Sequence, residues 1–204
     1  MERVKVYRKN AADRIGVGIY ANKLMENFPH LPIEEEGRLL DAKLRENFIQ
    51  RVYIYKRWQE MVSQGNSLKE LQKFHAQHKY ILMSHDQKQV KNLGGLLAQS
   101  QNLSISQLTE IYLEKMMATL KKIATRENHA NTLQHIQGYL KNDIDKDDKA
   151  ELCSTFTDYK NGLLPLIVPI TLLRHHFRKH PNDYITQSYY MSPYPGELML
   201  LNHI

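Results

Sequence analysis

Ten histidines, at positions 30, 75, 78, 85, 129, 135, 175, 176, 180 and 203, are the chain's most unusual chemical resource. Imidazole titrates near neutral pH and ligates metals, so the spacing of these residues is the first test. His75 and His78 stand three apart on a stretch with helical periodicity and share a face, as some zinc ligands do. No carboxylate completes an H-E-x-x-H pattern around them, and they read as surface or core-rim side chains. Neither a metal nor any other cofactor is expected. The single cysteine, Cys153, lies beside Leu152 and Phe156 on the inner side of its helix and reads as a small buried hydrophobe. One thiol forms no internal disulfide, which fits a reducing, cytoplasmic compartment.

Three clusters are suited to binding a polyanion. Arg174, His175, His176, Phe177, Arg178, Lys179 and His180 form the densest cationic stretch. A helix C-terminus favours one or two cations, and phosphate binding would account for the others, because Arg presents a planar fork of donors. Tyr53, Tyr55, Lys56, Arg57 and Trp58 interleave aromatic and basic groups, a composition for stacking on unpaired bases. Trp58 falls on the apolar face and reads as core, while Arg51 and Arg57 project elsewhere as contact candidates. In the third cluster Asn131 and His135 are four apart and face one space, with Lys141 nearby, where amide and imidazole would read a base edge or satisfy each other.

Charge distribution agrees with one basic face. The net charge is +6. From Arg45 to Lys91 there are nine Lys or Arg against four Asp or Glu, whereas residues 142–158 carry six acids against Lys146 and Lys149. Phosphate-binding glycine loops, a dinucleotide fingerprint and a serine elbow are absent, and no nucleophile is paired to a base, so no catalytic residue is identified.

The elements that must position these groups are helices. Leu44, Phe48, Val52, Tyr55, Trp58 and Val62 recur at three- and four-residue spacing after Asp41, a capping residue, and before Gly65. Further helices are expected over 68–83, from Ser104 for about six turns with Leu108, Tyr112, Met116, Leu120 and Ile123 buried, and over 129–141, 146–161 and 165–179. Pro169 threatens a kink in the last of these. The apolar run 163–173 reads as a buried helix, too short to span a membrane. The expectation is an all-α domain of about six or seven helices at 41–204. It is preceded at 1–40 by an appendage with a short strand at Val4, Val6 and Tyr7, a helix over 19–28 and an acidic connector, Glu34, Glu35 and Glu36.

Several motifs then resemble one family. Arg45-Glu-Asn-Phe-Ile-Gln-Arg-Val, His78-Lys-Tyr, Leu133-Gln-His-Ile-Gln-Gly-Tyr-Leu-Lys, Pro165-Leu-Ile-Val-Pro-Ile-Thr-Leu-Leu and Pro193-Tyr-Pro-Gly-Glu-Leu resemble, in order, the bacterial YbgA-type domain. In that family the domain stands alone or follows a TudS-type thiouracil desulfidase domain, a combination implicated in removing sulfur from 4-thiouridine in tRNA. Val4-Lys-Val-Tyr, Gly16-Val-Gly-Ile-Tyr-Ala and Leu31-Pro-Ile-Glu-Glu-Glu-Gly-Arg-Leu look like the end of such a desulfidase domain and its junction. A desulfidase of that type holds an iron-sulfur cluster on three cysteines, and this chain has one, so desulfidase activity is not carried over.

The resemblance implies an accessory module that binds tRNA or another structured RNA and serves a desulfidase domain, fused or separate. The contact candidates are Arg45, Arg51, Arg57, Lys79, Asn131, His135, Lys141, Arg174, His175, Arg178 and Lys179. Two other readings stand beside it: a small-ligand binder or enzyme with His78, His129 and His135 around a pocket, and a protein-interaction module.

Overall fold

Short polar side chains start most of the helices. The computed structural model describes residues 18–99 and 103–202. Asp41 accepts from the amides of Lys43 and Leu44, and Ser67, Asp86, Thr125 and Asp145 each accept from the amide three residues on. Ser104 and Gln107 form a reciprocal capping box. Each such cap stabilises a helix by about 1 kcal/mol.

The resulting elements are α1 (Ile19–Asn27), α2 (Ala42–Ser63), α3 (Leu68–His85), α4 (Gln87–Ala98), α5 (Ile105–Leu120), α6 (Arg126–Gln137), α7 (Lys146–Lys160), α8 (Ile167–Lys179) and α9 (Asp183–Thr186). The described residues are all-α, without a strand. The strand expected at Val4 to Tyr7 lies outside them. Gly65 and Gly162, at φ +123° and +82°, end α2 and α7 in backbone conformations that a Cβ would strain.

Helix α3 is central. Leu71, Phe74, His78, Ile81, Leu82 and His85 are buried along it, and it packs against α2, α4, α5 and α6. On the far side α6, α7 and α8 pack on one another. The chain then returns across α3 through a 3-10 turn at Tyr189–Met191 and meets α2 again near Leu201. A column of rings ties these layers: Tyr112 stacks on Trp58 at 5.6 Å, Trp58 meets Phe74 edge-on, Phe74 stacks on His78 at 4.0 Å, and His78 lies 4.8 Å from Tyr189. Trp58 is thus core, as its spacing indicated.

Several expectations need correction. α4 and α9 were absent from the predicted set, so eight α-helices rather than six or seven follow residue 41 among the described residues. Gly94 and Gly95 mask α4, although Val90, Leu93 and Leu97 supply its buried stripe. α5 has 16 residues, well short of six turns, and Ile123 beyond its end is 43% exposed. The run 163–173 is not one buried helix: Leu163 is exposed and α8 starts at Ile167. Pro169 is then its third residue, where no intrahelical donor is lost, and the expected kink has no cause. Cys153 is exposed, with its Sγ 3.6 Å from the Gln137 amide nitrogen.

The largest correction concerns α2. Its buried face is Asn47, Gln50, Arg51, Ile54 and Trp58, while Val52 and Val62 are exposed. Three polar residues sit inside because partners from distant segments meet them. Asn47 Nδ2 donates to the Leu120 carbonyl at 2.9 Å, Gln50 bonds His85 at 2.7 Å, and Arg51 pairs with Glu34 at 3.4 Å. Glu34, expected in a connector, is therefore packed into the helical domain.

Candidate functional site

Two regions gather polar chemistry, one on the outer surface and one inside. At the surface, Tyr139 of the 3-10 turn after α6 and half-buried Tyr184 of α9 meet beside the buried Tyr80 of α3. The Tyr80 hydroxyl donates to that of Tyr139 at 3.1 Å, and Tyr139 stacks on Tyr184 with centroids 5.7 Å apart. Tyr139 is 37% exposed. Lys79 Nζ lies 5.5 Å from the Tyr80 ring, and exposed Lys141 follows Tyr139 by two residues. Lys179 ends α8 only five residues before Tyr184.

The other predicted contacts divide by burial. His135, Arg174, Arg178 and Lys179 are exposed, and His175 is half-buried with Arg178 Nη2 3.3 Å from its Nδ1. Arg174 also donates to the Met191 carbonyl and to Ser192 Oγ, which fastens the returning chain. Arg45 is exposed and donates to the Leu39 carbonyl at 3.0 Å. Asn131 is half-buried, with an Nδ2 that has no hydrogen-bond partner, and His135, four residues on along α6, is exposed.

Arg51 and Arg57 do not project outward as expected. Arg51 is 1% exposed, because a buried guanidinium needs an anion and Glu34 supplies it. Arg57 lies 3.8 Å over the Tyr189 ring and donates to the Pro193 carbonyl, holding the C-terminal segment on α3.

The interior region is a cavity of about 400 Å³ beneath α2, bounded also by the end of α3, the α5–α6 connection and residues Tyr159 and Leu166. Glu46, Asn47 and Gln50 of α2 line it together with His85, Arg126 and His129. Burial pushes the Glu46 carboxyl up to about 7, although the Tyr194 hydroxyl, donating at 3.1 Å, acts in the opposite sense. Burial pushes His85 down to about 4, against a raising bond to the Lys122 carbonyl. Its Nδ1 faces that carbonyl and its Nε2 lies 2.7 Å from Gln50 Oε1, so both ring nitrogens are engaged. His129 Nδ1 is 2.8 Å from the Tyr190 hydroxyl. Arg126 donates to the Tyr159 carbonyl at 2.8 Å and lies over that ring.

The histidines expected around a pocket are thus mostly elsewhere. His129 lines the cavity, His78 sits in the ring column, pushed down to about 3 by burial, and His135 is on the surface. His85 and Glu46 complete the cavity without having been singled out. Among the described residues, no group of three or more His, Cys, Asp or Glu could hold a metal ion, and no helix is long and apolar enough to cross a membrane.

Comparison with known proteins places the chain. Residues 79–195 match the family described as "Protein of unknown function (DUF1722)", and the chain belongs to that family. It is 26% identical over 130 residues to the "Uncharacterized protein YbgA" of Escherichia coli (strain K12), covering 62% of this chain and 76% of the relative. The resemblance to a YbgA-type domain is thereby established. No solved structure matches.

Proposed function

We propose that this DUF1722 protein is an accessory RNA-binding module, with tRNA or another structured RNA as its partner, working in the cytoplasm beside a TudS-type desulfidase domain that is fused to it or separate. The observation that carries this reading is the partly exposed Tyr139–Tyr184 stack, with Lys79 Nζ 5.5 Å from the adjoining Tyr80 ring and exposed Lys141 two residues after Tyr139. Aromatic faces bind unpaired bases with little sequence preference, and neighbouring cations take the phosphates. Lys179, Arg178 and Arg174 are further exposed cations on α8. The desulfidase link rests on the family resemblance alone.

The test is a binding titration of the full chain against tRNA, duplex DNA and single-stranded DNA over a range of salt. Affinity for tRNA should fall with a logarithmic slope of about 0.7 to 0.9 per neutralised phosphate. Replacing Lys79 and Lys141 together by Ala should lower both affinity and slope while helicity is kept, and Tyr139→Ala should lower affinity with the slope unchanged. Absence of tRNA binding by the wild-type chain at low salt, or equal binding by the double variant, refutes the reading.

A further inference from the structure

We infer that the cavity beneath α2 binds a small phosphate monoester, with the phosphate on Lys43 and Arg126 and the organic part among Ile123, Ala124, Tyr159 and Leu166. The site shares no residue with the tyrosine platform, and the inference does not rest on the RNA reading.

Most polar groups that line the cavity are already engaged by the fold. Glu46 accepts from the Tyr194 hydroxyl and has a further interaction within the protein. Asn47 donates to the Leu120 carbonyl, Gln50 and His85 bond each other, Thr125 accepts the Asn128 amide, and His129 meets the Tyr190 hydroxyl. The two cations differ. Among the described residues, Lys43 Nζ makes neither a hydrogen bond nor an ion pair. Arg126 commits Nη1 to the Tyr159 carbonyl at 2.8 Å and the Leu164 carbonyl at 3.5 Å, while its Nε and Nη2 are bonded to none of the described residues.

Neither cation stabilises its own helix. Lys43 is in the first turn of α2 and Arg126 opens α6. A helix N-terminus carries partial positive charge, so a cation there is unfavourable until an anion answers it. The acids nearest in sequence are engaged elsewhere: Asp41 accepts the Lys43 and Leu44 amides as a cap, and Glu127 pairs with Lys160 at 3.3 Å. Two cations without ion pairs thus line one cavity, and an anion from outside is the group that neutralises them.

Charge and shape select the anion. A phosphate monoester carries roughly −1.5 to −2 near pH 7, against a single charge on a carboxylate, and so matches two cations. Its oxygens suit the N–H groups that Arg126 has left, on a fork held in place by the Tyr159 carbonyl and by the Tyr159 ring, 5.2 Å away. Ile123, Ala124, Leu166 and the Tyr159 ring provide an apolar lining for an aromatic or aliphatic body. A volume of about 400 Å³ lies in the range of roughly 300–1,000 Å³ that small-molecule sites occupy. Such a phosphate stands on a free metabolite or at the 5′ end of an RNA, and both carry this chemistry.

Isothermal titration of the full chain with phenyl phosphate, inorganic phosphate, benzoate and phenol tests the site. Phenyl phosphate should bind about tenfold or more tighter than each of the others, because it alone engages both the cations and the apolar lining. Lys43→Ala, at an exposed position, should weaken phenyl phosphate about tenfold and leave phenol unchanged. Arg126→Lys, which keeps the charge and loses the fork, should weaken it as well. Competition assigns the source. Displacement of phenyl phosphate by a 5′-phosphorylated RNA oligonucleotide, and not by its dephosphorylated form, places the phosphate on RNA; displacement by neither places it on a free metabolite. Benzoate or inorganic phosphate binding as tightly as phenyl phosphate, unchanged affinity in folded Lys43→Ala, or no heat with millimolar phenyl phosphate overturns the proposal. The Lys79→Ala, Lys141→Ala double variant should bind phenyl phosphate normally, so failure of the RNA reading and failure of this one are separate results.

Discussion

Replacing Glu46 by Gln asks whether the cavity beneath α2 holds a carboxyl that folding disfavours in its charged form. Desolvation moves this group from 4.5 to about 7, with the Tyr194 hydrogen bond opposing the shift. Between those two values the folded chain keeps a proton that the unfolded chain has released, so stability falls as pH rises from about 4.5 and reaches its full loss above about 7. At about 1.4 kcal/mol per pH unit, the displacement amounts to about 3 kcal/mol, of which roughly 2 to 3 is lost between about pH 5 and pH 8. Gln has the same shape, keeps an oxygen for the Tyr194 hydroxyl and does not titrate. Urea unfolding of both proteins at those two pH values measures the effect. The histidines, present in both, cancel in the difference. The variant's stability relative to wild type should rise by roughly 2 to 3 kcal/mol from the acid to the alkaline condition. A difference that stays constant with pH would show that Glu46 is solvated in the folded chain and would refute the reasoning.

Three further outcomes are expected. His78, held low by burial, contributes stability that is complete above about pH 6.5 and is lost as pH falls toward about 3, so His78→Phe should shift acid unfolding, followed by circular dichroism, to lower pH. The ring keeps its stacking place beside Phe74, and its removal also deletes a buried Nε2 without a hydrogen-bond partner. Glu34→Gln should cost about 3 to 5 kcal/mol in chemical denaturation because it strands the buried Arg51 charge; a cost below about 1 kcal/mol would mean that the pair is exposed in solution. Trp58→Ala should cost about 3 to 5 kcal/mol, and an unchanged melting temperature would remove Trp58 from the core.

The helices were legible because caps and spacing act over a few residues: Asp41, Ser104 and Gly65 stand where sequence reasoning placed them, at the ends of α2 and α5. α4 was missed because paired glycines lower intrinsic propensity, while its burial against α3 and α5 overrides that penalty. The wrong face of α2 was chosen for a related reason. Val52 and Val62 made one stripe look apolar, yet Asn47, Gln50, Arg51, Ile54 and Trp58 have the same three- and four-residue spacing. Their partners, the Leu120 carbonyl, His85 and Glu34, are distant in sequence. The cavity was hidden for that reason too, since its lining runs from Lys43 to Leu166 and forms only when α2, α6 and the chain before α8 meet. Glu46 lay inside a motif read as a family signature, and nothing local marked it as a cavity-lining residue.

The polar inner face of α2 also bears on which site to test for chemistry. A buried ion pair and buried amides seldom improve on well-packed hydrophobic residues of similar volume, so stability alone does not account for Asn47, Gln50 and Arg51 occupying core positions. Arg51 and Gln50 are bonded to Glu34 and to His85, and these bonds fix the helix against the segment before residue 41 and the end of α3. Such fastening holds Glu46 and Asn47, on the same helix, at the cavity wall without further adjustment. On the outer surface the arrangement is the reverse: Lys141 and Lys179 are exposed on short or terminal elements, where side chains adapt to a partner. An adaptable cationic surface of this kind favours a polyanion of variable sequence. Salt dependence of RNA binding should consequently follow substitutions of Lys141 and Lys179, whereas substitutions at Gln50 and Arg51 should be read in stability.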